Sequence, residues 1–157
     1  KHKLQAIHIK ELISKIKLLI GNKGSLLVTT SRRTSHECYQ NLQAELKKLS
    51  IKSFLWSPKD KTPNPYYGYL SHADIIIVTG DSISLCSEAC ATGKPVLIYS
   101  PKDITISKHK TFHETLIKKE IAMNINDFNL KKINKLKYNP INESQNIAKI
   151  IIENFLQ

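Results

Sequence analysis

An arginine pair and a serine-rich turn are the residues of this sequence best suited to holding a phosphate group. Arg32 and Arg33 closely follow the apolar run 26–28, and the other 22 basic residues of the chain are lysines. A planar guanidinium fork matches phosphate oxygens in a way that an ammonium group does not. The turn Gly80–Ser84 follows the aliphatic run 75–78. A helix that begins there would aim free backbone N–H groups and its positive dipole end at a ligand. The candidate substrate-binding residues are Ser31, Arg32, Arg33, Thr79, Asp81, Ser82, Ser84 and Glu88.

Glu88 is the candidate for a sugar contact. It lies between one and two turns into the predicted helix, and a carboxylate accepts two hydrogen bonds in one plane, as a pair of ribose hydroxyls requires. The residues alone leave a solvated helix glutamate equally open. Ser82 also has a structural role available as the helix N-cap, which is compatible with ligand binding. Arg33 has the alternative of an ordinary surface arginine.

Several other chemistries are excluded by spacing. The five glycines form neither a G-x-G-x-x-G dinucleotide motif nor a Walker loop. No tyrosine precedes a lysine by four positions, which is the pairing used by short-chain dehydrogenases and sugar epimerases. The sequence also has no D-x-D motif that could bind a divalent metal. Gly80–Ser84 departs from a nucleophile elbow because Ser84 replaces its second glycine. We expect no catalytic residue, no metal and no cofactor other than a donor substrate.

The three cysteines are odd in number and contain no C-x-x-C pair, which argues against a disulfide framework or a zinc site. Cys86 and Cys90 stand four residues apart in a predicted buried helix, where small core hydrophobes are the expected role. Free thiols fit a reducing cytosol, so we expect a cytoplasmic protein.

The elements that must position these residues follow from apolar periodicity and from turn residues. In chain order, the predicted elements are a helix at Leu4–Ile20, a strand at Ser25–Thr30, a helix opened by the capping box Thr34–Glu37 and ending near Leu49, a strand at Lys52–Trp56, a short helix at Tyr66–His72, a strand at 75–78, a helix at Ser82–Thr92, a strand in Lys94–Ser100, a helix around Phe112–Lys119, a short strand near Ala122–Ile125, and a final helix from about Asn142 to Phe155.

This alternation of strands and helices predicts an α/β fold. Strands with no polar alternation are typical of parallel sheets that are covered on both faces. We expect residues 1–157 to form a single three-layer, Rossmann-like domain with a mainly parallel sheet of about five strands. In such sheets a ligand binds at the carboxyl ends of the strands. The predicted crevice is therefore bordered by Ser31–Arg33 and Thr79–Ser84.

The net charge of +11 permits an anionic partner but does not identify one. The lysines are scattered along the chain, which favours compositional drift over a dedicated polyanion site, so we do not expect nucleic acid as a partner. Lysines at positions 10, 15 and 17 beside an apolar helix face would also allow contact with an anionic membrane surface. Core packing is the more usual role of such a face. No apolar run approaches the roughly 20 residues of a transmembrane helix.

Three ordered motifs resemble the elongated-mitochondria fission-factor family, whose bacterial members are often labelled predicted nucleoside-diphosphate-sugar epimerases. They are LLVTTSRRT at 26–34, NPYYGYL at 64–70 and ADIIIVTGDSISLCSEACATGKPV at 73–96. That family is in turn similar to the carboxyl-terminal, donor-binding half of GT-B glycosyltransferases. The shared S-E-x-x-x-x-G-x-P motif is represented here by Ser87, Glu88, Gly93 and Pro95. The resemblance implies that the loop amides hold a diphosphate and that Glu88 holds the ribose.

The sequence also departs from this family. Relatives begin the domain with an apolar strand and a glycine pair, whereas only Lys-His-Lys precedes Leu4 here. We expect the amino-terminal acceptor-binding domain, which commonly supplies the catalytic base in inverting GT-B enzymes and would be a partner of this one, not to be part of this sequence. The expected function is therefore glycosyltransferase-like binding of a nucleoside-diphosphate sugar rather than turnover, and no motif supports an epimerase. The alternative is a non-catalytic scaffold or adaptor that docks through the aromatic run Tyr66, Tyr67 and Tyr69.

Overall fold

Helices and parallel strands alternate along the chain. The computed structural model describes residues 4–129, 133, 136 and 138–140. The elements are α1 (Ala6–Ile20), β1 (Ser25–Thr29), α2 (His36–Leu46), β2 (Lys52–Trp56), α3 (Tyr66–His72), β3 (Ile76–Thr79), α4 (Ile83–Cys90), β4 (Val96–Tyr99), α5 (Ser107–Lys118), β5 (Met123–Asn124) and a 3-10 turn at Ile125–Asp127. This order confirms the predicted α/β class. The helix predicted from Asn142 to Phe155 lies outside the described residues.

The strands form two parallel groups rather than the single sheet of about five strands that we predicted. In one group β1 pairs with β2, Ser25 opposite Lys52. In the other the order is β3-β4-β5, with Ile76 opposite Val96. Strand pairing depends on partners distant in the chain, which apolar runs do not reveal.

Helix α1 packs across both strand groups. Its buried Ile9, Ile13 and Ile16 belong to a cluster with side chains of α2, β1 and β2, whereas Leu19 belongs to a second cluster with β4. Ile77 of β3 touches both clusters, so the two strand groups share a core beneath α1. The predicted apolar face of this helix is therefore core.

Strand β4 lies at the centre of the second group, and all four of its residues are buried. Helix α4 covers it with Cys86 and Cys90, both fully buried, which confirms their predicted role as core hydrophobes. Burial raises the pKa of Cys86 to about 12 and that of Cys90 to about 11. Both thiols therefore stay protonated and unreactive.

Two helix starts differ from the prediction. The N-cap of α2 is Ser35 rather than Thr34, because the Ser35 hydroxyl accepts the Cys38 N–H at 3.2 Å. Helix α5 begins at Ser107, five residues before Phe112. Its first turn is polar and exposed, so it carries no apolar periodicity that would mark a helix.

Candidate functional site

The β1–α2 loop presents the arginine pair at the end of β1. The Thr30 N–H donates to the carbonyl of Trp56, extending the pairing of β1 and β2 by one residue at 3.0 Å. Beyond it the chain turns tightly, because the Ser31 N–H donates to Thr34 Oγ1 at 3.1 Å and the Thr34 N–H to the Ser31 carbonyl at 3.0 Å. Arg32 and Arg33 are exposed at the tip of this turn. Within the described part of the chain neither arginine forms an ion pair, so both guanidinium groups face solvent.

The β3–α4 turn begins at Gly80, which is fixed on three sides. Its N–H donates to the carbonyl of Tyr99 at 2.8 Å, and its carbonyl accepts from His109 Nδ1 at 3.1 Å. A Cβ at this position would lie 2.6 Å from His113 Cε1 and 2.7 Å from Ser100 Oγ. Only glycine leaves room for these two side chains, and the orientation of the following peptide is set by this packing.

The N-terminus of α4 continues that turn. Ser82 is the N-cap, and its hydroxyl accepts the Leu85 N–H at 3.4 Å while the residue is only 8% exposed. Capping uses a lone pair, so the Ser82 O–H is still a donor. Asp81 and Ser84 are exposed on either side of it. The helix has free N–H groups at its start and thus a partial positive charge toward the turn.

The two loops follow strands that share an apolar cluster, since Val28 of β1 and Ile77 of β3 both pack in it. Burial raises the pKa of the Cys38 thiol in the first turn of α2, and the carboxylates of Asp81 and Glu37 raise it further. Asp81 is therefore close to the helix that follows the arginine loop. Its negative charge opposes anion binding at this edge, so any anion held there depends on the arginines and on the α4 N-terminus.

Glu88 is exposed on the same face of α4 as Ser84, four residues earlier. It is not a solvated glutamate without partners. Burial raises the pKa of Tyr66 in α3, and a hydrogen bond to the Glu88 carboxylate raises it further. The sequence had indicated Tyr66 only as part of an aromatic docking face. In the structure it lies near the carboxylate that we predicted to bind ribose.

Two cavities lie on the β1–α2 side of the site. The larger, about 470 Å³, opens between the N-termini of α1 and α2. The smaller, about 150 Å³, lies at the ends of β1 and β2 and is lined by Thr30, Thr34, Ser35, His36, Tyr39, Ser57, Lys59 and Asp60. Neither cavity is lined by Ser82, Ser84 or Glu88. Sequence reasoning did not single out Lys59 or His36, because Lys59 stands in a loop without a motif and the capping box around His36 indicated only a helix start.

Across the part of the chain that the structure describes, no three His, Cys, Asp or Glu side chains come together as a metal-binding group. No helix in the same residues has both the length and the apolarity needed to cross a bilayer.

A family model described as mitochondrial fission ELM1 matches residues 1–155. This chain belongs to the mitochondrial fission ELM1 family. Among curated proteins, the Arabidopsis thaliana mitochondrial fission protein ELM1 is 37% identical over 89 residues, which are 57% of this chain and 20% of that protein. The uncharacterized protein RP120 of Rickettsia prowazekii is 39% identical over 101 residues, which are 63% of this chain and 28% of that protein. The match to the ELM1 family confirms the resemblance stated from the three motifs.

The aligned segments thus span about a quarter of the length of these curated relatives. The arginine loop, the β3–α4 turn and Glu88 all lie inside the region matched by the ELM1 family model. One solved structure, a 2,5-dihydroxypyridine dioxygenase from Pseudomonas putida KT2440, aligns with 73% of this chain and 43% of its own. Its identity is 13% and its TM-score is 0.37, which is too low to indicate a shared fold.

Proposed function

We propose that this domain binds a nucleoside-diphosphate sugar at the edge where the β1–α2 loop and the β3–α4 turn meet. One observation carries the proposal: two arginines without ion-pair partners among the described residues share that edge with the free N-terminus of α4. Donor sites of this kind need positive charge and backbone N–H groups for the diphosphate, and a carboxylate for the ribose.

The diphosphate is assigned to the arginines and to the start of α4. Two guanidinium charges and the roughly half charge of a helix N-terminus together exceed the negative charge of Asp81. The hydroxyls of Ser82 and Ser84 add donors to the phosphate oxygens. Arg33 is the stronger candidate for a direct contact, since its backbone N–H bonds to Ser31 Oγ at 3.2 Å and holds it within the turn.

The ribose is assigned to Glu88. A hydrogen bond to this carboxylate helps to raise the pKa of Tyr66, and a carboxylate that accepts one hydrogen bond still has lone pairs for a sugar hydroxyl. Because the contact involves a charged acceptor, its loss would cost about 1.5 to 3 kcal/mol of binding free energy.

The second candidate function is a non-catalytic scaffold or adaptor. Tyr67 favours it, because this aromatic side chain is 78% exposed on α3 beside the ring of Tyr66, with ring centroids 5.3 Å apart. Exposed tyrosines are frequent in protein interfaces. The adaptor would use this face of α3 without needing a free anion site.

Calorimetric titration against uridine, guanosine and cytidine diphosphate sugars separates the two functions. The donor-site proposal predicts saturable heat with at least one of them, and weaker binding of inorganic pyrophosphate, which lacks the nucleoside. Absence of heat and of any thermal shift with the whole panel would contradict the donor site and favour the adaptor.

A further inference from the structure

Four polar side chains form a buried chain of contacts behind the β3–α4 turn. His113 of α5 is 4% exposed, with Nε2 at 3.9 Å from Cys86 Sγ and Nδ1 at 3.2 Å from Ser100 Oγ. Ser100 Oγ lies 2.7 Å from Thr105 Oγ1, which donates to the carbonyl of Pro101 at 2.6 Å. The chain therefore connects α4, α5, the end of β4 and the loop that follows it.

The direction of every proton in this chain can be worked out from its far end. The hydroxyl hydrogen of Thr105 is donated to the Pro101 carbonyl, so in the contact with Ser100 the Thr105 Oγ1 must be the acceptor. The single Ser100 hydrogen is then used, and Ser100 Oγ must accept from His113 Nδ1. His113 therefore carries its proton on Nδ1 and offers the lone pair of Nε2 to the Cys86 thiol, whose raised pKa keeps it a donor.

His113 also stands against the start of the β3–α4 turn. A Cβ on Gly80 would clash with its Cε1, so the imidazole edge and the Gly80 backbone are in direct contact. His109, one turn earlier on α5, holds the Gly80 carbonyl through Nδ1. The two histidines together set the direction of the peptide that leads into Asp81 and Ser82.

We propose that His113 is a positioning residue, which in its neutral form, with the proton on Nδ1, holds the β3–α4 turn in the shape that binds the anionic ligand. The inference rests on the proposed function, because it concerns the same site. Ligand affinity at this site should then depend on pH through His113, which is buried and does not touch the ligand.

Protonation of His113 would change this chain, because a second proton turns Nε2 from an acceptor into a donor. The Cys86 S–H would then lose its acceptor and have to rotate away, which leaves only the weak sulfur acceptor opposite the new N–H. Burial lowers the pKa of His113, and the neighbouring His109 lowers it further. His109 lies one turn away on the same helix, with its Nδ1 on the Gly80 carbonyl. From α4 the titratable group in contact is Cys86, and Asp81 acts on Cys86 from the turn.

The sign of the pH effect follows from linkage. An unfolded histidine has a pKa of about 6.5, and the pKa of His113 is lower in the folded chain, so the unfolded state binds more protons as the pH falls. Stability contributed by neutral His113 is complete above about pH 6.5 and is lost as the pH falls toward the folded pKa. Affinity should fall by up to about tenfold for each pH unit below that folded pKa.

The first test concerns the protein without any ligand. Long-range proton–nitrogen spectra of the 15N-labelled chain should show His113 protonated on Nδ1 and unprotonated on Nε2 at pH 7.5. Amide hydrogen exchange at residues 80–84 should accelerate, beyond its ordinary pH dependence, as His113 takes up a second proton. A proton on Nε2 at pH 7.5, or exchange in the turn that ignores the titration, would overturn the inference.

The second test measures binding of uridine diphosphoglucose and guanosine diphosphomannose between pH 8 and pH 5, where their diphosphate diesters do not titrate. His113→Asn keeps a donor near the Nδ1 position but cannot be protonated, so it should retain binding at pH 7.5 and lose the decline at low pH. His72→Asn, on exposed α3, is the matched control and should keep the parent profile. A His113→Asn profile identical to the parent would refute the positioning role.

If neither sugar nucleotide binds the parent at any pH, the proposed function loses its support, and the spectra and exchange still decide the role of His113.

Discussion

Replacing Gly80 with alanine should destabilise the domain, and the structure allows the size of the effect to be worked out. The new Cβ would lie 2.6 Å from His113 Cε1, 2.7 Å from Ser100 Oγ and 2.8 Å from Ser100 Cβ. These distances are about 0.6 to 0.8 Å inside ordinary van der Waals contact. Neither neighbour can move freely, because both belong to the buried hydrogen-bond chain. Overpacking of this kind costs about 1 to 3 kcal/mol.

Alanine also reduces the entropy of the unfolded chain, which returns about 0.4 to 1 kcal/mol. The net expectation for Gly80→Ala is a loss of about 1 to 2 kcal/mol in the free energy of unfolding. This loss can be measured from the shift of the urea midpoint if the dependence of the unfolding free energy on urea concentration is unchanged. Gly68→Ala is the control, since a Cβ there meets nothing within 4 Å on α3. It should stabilise by about 0.5 to 1 kcal/mol. A Gly80→Ala protein as stable as the parent would refute the reasoning about this contact.

Three further outcomes are expected. Ser35→Ala should lower the free energy of unfolding by about 1 kcal/mol, as an N-cap loss does, and Thr34→Ala by less. Equal losses in urea titrations would mean that the cap is misassigned. Iodoacetamide followed by mass spectrometry should modify the partly exposed Cys38 before Cys86 and Cys90, which are fully buried, and faster labelling of either buried thiol would contradict the packing of α4. In sedimentation with anionic liposomes the protein should stay in the supernatant, because the apolar face of α1 is used in the core, and co-sedimentation that rises with anionic lipid would contradict this.

Much of the fold could be predicted because its signals are local. The bounds of β2 agree with the prediction at both ends, and Ser82 caps α4 as its hydroxyl and position indicated. The aliphatic runs at 26–28 and 75–78 both fall on parallel strands, as uninterrupted apolar runs of this length favour. The division of the strands into two groups could not be predicted this way. An apolar run indicates that a segment is a strand, but it does not specify which other strand pairs with it.

The two loops of the candidate site could be located from the sequence, but the contacts that hold those loops in place could not. Ser31–Arg33 and Thr79–Ser84 carry their chemistry in adjacent residues, so their types and spacing are visible in the sequence. The contact of Gly80 with His113 joins residues 33 positions apart, and the bond of Glu88 to Tyr66 joins residues 22 positions apart. Such contacts arise only when α3, α4 and α5 pack around the strand ends.

In the donor site that we propose, the diphosphate lies near Arg33 and the ribose of a nucleoside-diphosphate sugar lies near Glu88. The most direct test is calorimetric titration of Arg33→Lys and Glu88→Gln with the tightest sugar nucleotide of the panel and with inorganic pyrophosphate. Arg33→Lys keeps the charge but loses the planar fork, so it should weaken both ligands. Glu88→Gln should weaken the sugar nucleotide by about 1.5 to 3 kcal/mol and leave pyrophosphate unchanged, whereas Tyr66→Phe, which keeps the Glu88 carboxylate and removes only its neighbouring hydroxyl, should weaken the sugar nucleotide by less than Glu88→Gln does. If Arg33→Lys and Glu88→Gln bind every ligand as the parent does, the donor site does not lie at this edge.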